Sequence, residues 1–129
     1  MRAVDTNVLV RVLVNDDPGQ GRRALALMRT HPVWVAKTVL LETEWVLRSL
    51  YQFDRQQIAD ALERLAGLAN VQVEDPRCVH TALGWFRDGL DFADALHLAS
   101  RGDAEAFVSF DARFRRRARR ITGMAIEKP

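Results

Sequence analysis

Short apolar runs along this chain alternate with longer stretches whose apolar residues recur at three- and four-residue spacing, the pattern of strands alternating with amphipathic helices. The opening run, Met1-Arg2-Ala3-Val4-Asp5-Thr6-Asn7-Val8-Leu9-Val10, reads as a first strand interrupted by Asp5, with a short helix over 8–14. Asn15-Asp16-Asp17-Pro18 is a turn that starts a second helix with proline at its first position, running to about residue 30. Val33-Trp34-Val35 reads as a buried strand, and Thr38 is placed to cap a long helix over 39–51. Asp54 with Gln57 has the spacing of a capping box for a helix ending near 66, followed by a strand at 71–73. Asp75-Pro76 opens a helix that ends at Phe86 or Arg87 before Gly89, and Asp91 caps a helix over 92–99. Residues 106–109 form a strand candidate, Asp111 begins an arginine-rich helix, and 125–126 are a last edge strand candidate. This alternation predicts an α/β fold with three layers, a central, mostly parallel sheet of about five short strands flanked by helices, in one domain over residues 1–129. Ligands of such sheets bind at the carboxyl ends of the strands, where Asp5, Ser109 and Asp111 fall.

Composition narrows the class. With 48% hydrophobic and 28% charged residues the chain is an ordinary globular protein, and no segment has the uninterrupted apolar length of a membrane helix or the layout of a signal peptide, so a cytoplasmic protein is expected. The single cysteine, Cys78, allows neither an internal disulfide nor a zinc cluster and is assigned to packing. The net charge is only +2, yet Arg113, Arg115, Arg116, Arg117, Arg119 and Arg120 crowd one short segment. Such a basic rim suits a polyanion, although Lys37 and Lys128 are the only lysines, so arginine is also this chain's habitual cation.

The acids carry the chemistry. A carboxylate at the end of a buried strand needs donors or a cation beside it; Asp5 is read either as a helix cap or as a functional acid. In the helix after Thr38, Val39, Val46, Leu50 and Phe53 make an apolar stripe that includes Glu42, whereas Glu44 lies about 200° further round, one turn before Arg48, as one half of an exposed ion pair. Asp94, in the first turn of the helix capped by Asp91 and flanked by Ala93 and Ala95, is open to both a capping and a site role. Asp5, Glu42, Asp94 and Asp111 thus come from separate elements, and carboxylates brought together in that number require divalent cations. Oxygen-only ligands favour Mg²⁺ or Mn²⁺ over zinc, and His31, His80 and His97 lack zinc-ligand spacing.

Val4-Asp5-Thr6-Asn7-Val8-Leu9, Leu41-Glu42-Thr43-Glu44-Trp45-Val46-Leu47, Asp91-Phe92-Ala93-Asp94-Ala95 and Phe107-Val108-Ser109-Phe110-Asp111 together resemble the PIN-domain ribonucleases, most closely the VapC-type toxins, in order and in spacing across nearly the whole chain. The resemblance implies a PIN-like fold, makes Asp5, Glu42, Asp94 and Asp111 the catalytic, metal-binding acids with Thr6, Asn7 and Ser109 in support, and leaves open whether Glu44 or Asp91 joins them. Ser109 stands where the family often has threonine, and the hydroxyl is kept.

The expectation is therefore a Mg²⁺- or Mn²⁺-dependent endoribonuclease leaving a 5′-phosphate and a 3′-hydroxyl, with Arg113, Arg115, Arg116 and Arg117 on the RNA backbone. Two alternatives stand beside it. An aspartyl-phosphate phosphatase would use Asp5 as nucleophile, but Asn7 occupies the position of its second aspartate. A non-catalytic nucleic-acid or protein-binding module would have no use for all four acids. The resemblance further implies a homodimer, a type II toxin–antitoxin role and a cognate antitoxin, for which Trp34, Trp45, Trp85 and Phe53 offer candidate contact surface.

Overall fold

A computed structural model of the chain describes all 129 residues, which group into two compact units, Met1–Pro76 and Arg77–Pro129. The first unit is a parallel three-stranded sheet flanked by helices. Its elements run β1 (Arg2–Ala3), α1 (Thr6–Leu13), α2 (Pro18–Thr30), β2 (Val33–Val35), α3 (Lys37–Ser49), α4 (Arg55–Ala66) and β3 (Val71–Val73). Strand order follows chain order: Arg2 stands opposite Val33, and Trp34 opposite both Ala3 and Gln72. Each crossover between neighbouring parallel strands carries a helix pair, because parallel strands need a long return path. Val33 and Val35 of the central strand are fully buried together with Leu9, Leu40, Leu47, Ile58 and Leu62 from the helices.

Local sequence explains most helix starts. Asp17 accepts from the Gln20 N–H at 3.0 Å with Pro18 at the first helical position, and Asp54 and Gln57 form a reciprocal capping box. Helix α1 begins at Thr6, two residues before the expected start, because Asp5 itself is the cap and accepts from the Val8 N–H at 3.1 Å. Helix α3 corrects the sequence reading at both ends, spanning Lys37–Ser49 rather than 39–51. Thr38 is not its cap. Ala36 occupies that position without a side-chain bond, and the orphan Lys37 N–H is satisfied by Glu74 Oε1 at 2.9 Å, a carboxylate delivered from just beyond β3.

The second unit consists of α5 (Pro76–Arg87, whose first residue closes the first unit), α6 (Phe92–Ala99) and α7 (Ala112–Thr122). Gly89, at φ 117°, lets the chain turn out of α5, and Gly123, at φ 75°, closes α7 in the left-handed conformation with its N–H on the Arg119 carbonyl. Phe86 and Phe92 meet edge to face at 5.4 Å between centroids, as do Phe107 and Phe114 at 5.8 Å. Cys78 is buried and free, with its Sγ 3.1 Å from Ser100 Oγ. Of the segments expected as the fourth and fifth strands, 106–109 makes a single parallel bridge, Val108 to Glu127, and its partner lies one residue beyond the expected 125–126. One rung is all they form, because the next backbone groups are taken elsewhere: the Asp111 N–H goes to Ser109 Oγ and the Ser109 carbonyl to Arg115. No helix is long and apolar enough to cross a membrane.

Candidate functional site

In the first unit the start of α1 faces the middle of α3. Thr6, buried, donates its hydroxyl hydrogen to Glu42 Oε1, so one oxygen of an otherwise exposed carboxylate is held in place. Glu42 Oε2 has no protein donor, and the same holds for Asp5 Oδ2, since only Oδ1 is engaged by the Val8 N–H. Each acid thus spends one oxygen on the fold and leaves the other without a protein donor. Asp5 and Asn7 line a pocket of about 410 Å³ with Arg11 and Arg23, Gln20, and an apolar floor of Val8, Ala24 and Leu27. Arg11 is tied to Gln20 at 2.6 Å and Asp16 at 3.3 Å; Arg23 is exposed and makes no ion pair. The sequence reading sought basic residues only near the carboxyl end and passed over these two; the signal was Arg11 standing one helical turn after Asn7.

The two glutamates of α3 exchange environments relative to the sequence reading. Glu44 is the buried one, at 2% exposure, and pairs with Arg48 at 2.7 Å, whereas Glu42 is exposed. The face turned inward is Leu40, Thr43, Glu44 and Leu47, not the stripe of Val39, Val46 and Leu50. The pairing with Arg48 is as expected; its exposure is not. With both oxygens of Glu44 facing Arg48, its charge is already matched.

In the second unit three acids gather at two helix N-termini. Asp91 caps α6 by accepting from the Asp94 N–H at 3.4 Å, and Asp111 caps α7 by accepting from the Phe114 N–H at 3.0 Å through Oδ1, leaving Oδ2 without a protein donor. Asp94, half-buried in the first turn of α6, has neither oxygen engaged. Its carboxyl is held above the usual aspartate range, first by burial, then by the negative charges of Asp91 and Asp111, against smaller opposing effects of His97 and Arg117. Ser109 supports Asp111 directly, its Oγ accepting from the Asp111 N–H at 3.0 Å. On α7 the buried Phe114 and Ala118 face inward; Arg113, Arg116, Arg119 and Arg120 are exposed, and Arg115 and Arg117 are half-buried.

Nowhere in the structure do three or more His, Cys, Asp or Glu side chains form a group able to hold a metal ion as it stands. The donor chemistry nevertheless fits a hard divalent cation: carboxylate and hydroxyl oxygens only, and around Asp94 a crowding of negative charge that His97 and Arg117 offset only in part. A protein-family model described as the PIN domain matches residues 2–120 of the chain, across both units. No individual curated protein matches it.

Proposed function

The chain belongs to the PIN-domain family, a family of nucleases, and from that premise we propose that it is a Mg²⁺- or Mn²⁺-dependent endoribonuclease, the toxin of a toxin–antitoxin pair. The observation that carries the reading is the disposition of carboxylate oxygens. Asp5, Glu42 and Asp111 each use one oxygen to fix their own orientation and keep the other free of protein donors, while Asp94 keeps both. Asp17 and Asp54, which are caps alone, leave one oxygen free in the same way, so the weight falls on Glu42, in mid-helix, and on Asp94, which caps nothing.

Asp5, Glu42, Asp94 and Asp111 would hold the cation. When bound, it supplies Lewis acidity to the phosphate and lowers the pKa of attacking water. The reaction is hydrolysis: a water oxygen bonds to phosphorus, the bond from phosphorus to the 3′ oxygen breaks, and the products are a 5′-phosphate and a 3′-hydroxyl. The chain's own residues prepare for this in three ways. Thr6 keeps Glu42 from swinging into solvent, and Ser109 ties the backbone of Asp111 so that its carboxylate stays at the head of α7. Asp94, whose carboxyl is held above the usual range by burial and then by the charges of Asp91 and Asp111, would offer both of its oxygens to the cation. Arg113, Arg116 and Arg117 on α7, with Arg115 fixed on the Ser109 carbonyl, supply positive charge for the RNA backbone, which positions the strand without reading its sequence.

A protein partner is supported by an apolar groove of about 460 Å³ in the first unit, formed by Val12, Leu13, Phe53, Ala61, Leu65 and Leu68 with Gln57, Asp60 and Arg64 at its rim. An antitoxin segment in such a groove and a homodimer through the exposed Trp45 and Leu50 belong to this proposal; light scattering of the purified protein should give twice the chain mass.

Asp5→Asn is the decisive substitution. Asparagine caps a helix about as well as aspartate, so α1 should persist, while a charged ligand is lost. Purified wild-type protein should cleave RNA with Mg²⁺ or Mn²⁺, and Asp5→Asn should lose more than about a hundredfold in rate, the scale of removing one group that stabilises the transition state, at an unchanged melting temperature. Wild-type protein that cleaves no RNA with either cation ends the catalytic reading.

A further inference from the structure

Residues 107–110 alternate in their exposure. Phe107 turns inward to meet Phe114, Ser109 is half-buried, and Val108 and Phe110 point outward, with Phe110 86% exposed, more than any other large apolar side chain in the protein. A lone exposed apolar residue is ordinary on a loop free to move. This loop is pinned on both sides of the ring. The Ser109 N–H donates to the Glu127 carbonyl at 3.0 Å, the Glu127 N–H to the Phe107 carbonyl at 2.9 Å, and the Asp111 N–H to Ser109 Oγ at 3.0 Å; Asp111 then caps α7. Arg115 closes the frame, its Nη1 donating to the Ser109 carbonyl at 2.8 Å, which sets a guanidinium charge one peptide away from the ring. The fold thus presents a rigid, water-exposed aromatic face between the hydroxyl that supports Asp111 and Asp111 itself, at the head of the helix richest in arginine.

We propose that Phe110 is the stacking platform for a nucleobase next to the phosphodiester bond that is cut. This rests on the ribonuclease reading above and adds a base-contacting residue to that site. A base presents an apolar face that stacks on an exposed ring whatever its identity, and the neighbouring arginines hold the phosphates on either side. In a duplex the same face is covered by its stacked neighbours and is not free to meet the ring. Pinning the loop in advance removes the ordering cost that a mobile aromatic would incur on binding. The ring's occupant is RNA rather than an acidic protein segment by charge and chemistry together, since an aromatic face beside guanidinium groups matches a base joined to a phosphate.

The test compares wild type with Phe110→Ala, Phe110→Leu and Phe110→Trp. Affinity is read by fluorescence anisotropy on a short, unstructured oligoribonucleotide and on the same strand annealed to its complement, and cleavage of the single strand is followed as kcat and KM. Phe110→Ala and Phe110→Leu should weaken single-strand binding and raise KM by about tenfold with kcat little changed. Phe110→Trp should bind at least as tightly as wild type, with its added indole fluorescence quenched by the oligonucleotide. Binding of the duplex should be weak and insensitive to all three substitutions. Because the ring is exposed, the melting temperature should not move. The proposal is overturned if Phe110→Leu equals wild type, if duplex and single strand lose affinity alike, or if Phe110→Ala alters only the mass seen in light scattering, which would make the ring a protein contact. Wild-type cleavage with an indifferent Phe110→Ala removes this inference alone; absence of cleavage by wild type removes the ribonuclease reading and the platform with it.

Discussion

Two glutamates separated by Thr43 on α3 do opposite work. Glu44, with its side chain 3% exposed, is bonded by Arg48, whose own side chain is half exposed, so water still screens part of the pair. Glu44→Gln should cost about 1–3 kcal/mol, the range for removing one partner of a buried hydrogen-bonded charge, with the solvent-screened Arg48 keeping it from the upper extreme. Glu42→Gln keeps an acceptor for the Thr6 hydroxyl and should change stability by less than about 0.5 kcal/mol, as for surface positions, yet abolish RNA cleavage. Denaturant melts beside a cleavage assay separate the two, and the reverse pattern, with Glu44→Gln stable but inactive, would make Glu44 the site acid. Sequence could single out both glutamates but not assign them. Leu40, Leu41, Trp45, Val46 and Leu47 surround them on every side of the helix, so two different apolar stripes fit equally well, and only packing chose the one through Leu40, Thr43 and Leu47. The acids at caps were easier, because a cap is written within four residues: Asp5, Asp54, Asp91 and Asp111 each accept from an N–H three positions ahead.

Helix α3 shows where that local legibility ends. Its first N–H is satisfied by Glu74, far along the chain and brought close by the parallel pairing of β2 with β3, so Thr38 offered the nearer but wrong signal. Glu74→Ala should therefore destabilise the protein by about 1 kcal/mol, the usual cost of a lost helix cap, and Thr38→Ala, on an exposed residue, by much less. Chemical denaturation of the two variants checks this, and equal effects would return the capping role to Thr38. The bridge of Val108 with Glu127 is a similar case. Residues 106–109 have strand composition, but hydrogen bonds from Asp111 and Arg115 divert the backbone after one rung, turning what reads as a strand into the rigid loop that carries Phe110. Helices α2, α4 and α7 were legible because the signals that start them lie within their own sequence: Asp17 with Pro18, Asp54 with Gln57, and Asp111.

Across the molecule the acids divide between the two units, Asp5 and Glu42 in the first, Asp94 and Asp111 in the second, and their grouping around one cation belongs to the proposal. Charge gives the means to test that grouping. Burial raises the pKa of Asp94 most, the charges of Asp91 and Asp111 add to it, and His97 and Arg117 lower it less. An unfolded aspartate titrates near pH 3.9. Between that value and the higher folded pKa the native protein binds more protons than the unfolded chain, so stability falls as pH rises through this window and stays lower above it. Without metal, the melting temperature should accordingly be reduced at neutral pH by the burial of Asp94 and the negative charges around it. Mg²⁺ or Mn²⁺ should restore more there than at acid pH, because a cation must compete with the proton for the same oxygens. Asp94→Asn, which removes a repelling charge and a ligand together, should flatten the pH dependence and shrink the metal-induced shift. Melting curves across pH, with and without each cation, decide the matter: a metal shift that ignores pH and survives in Asp94→Asn would mean that the cation is held without Asp94.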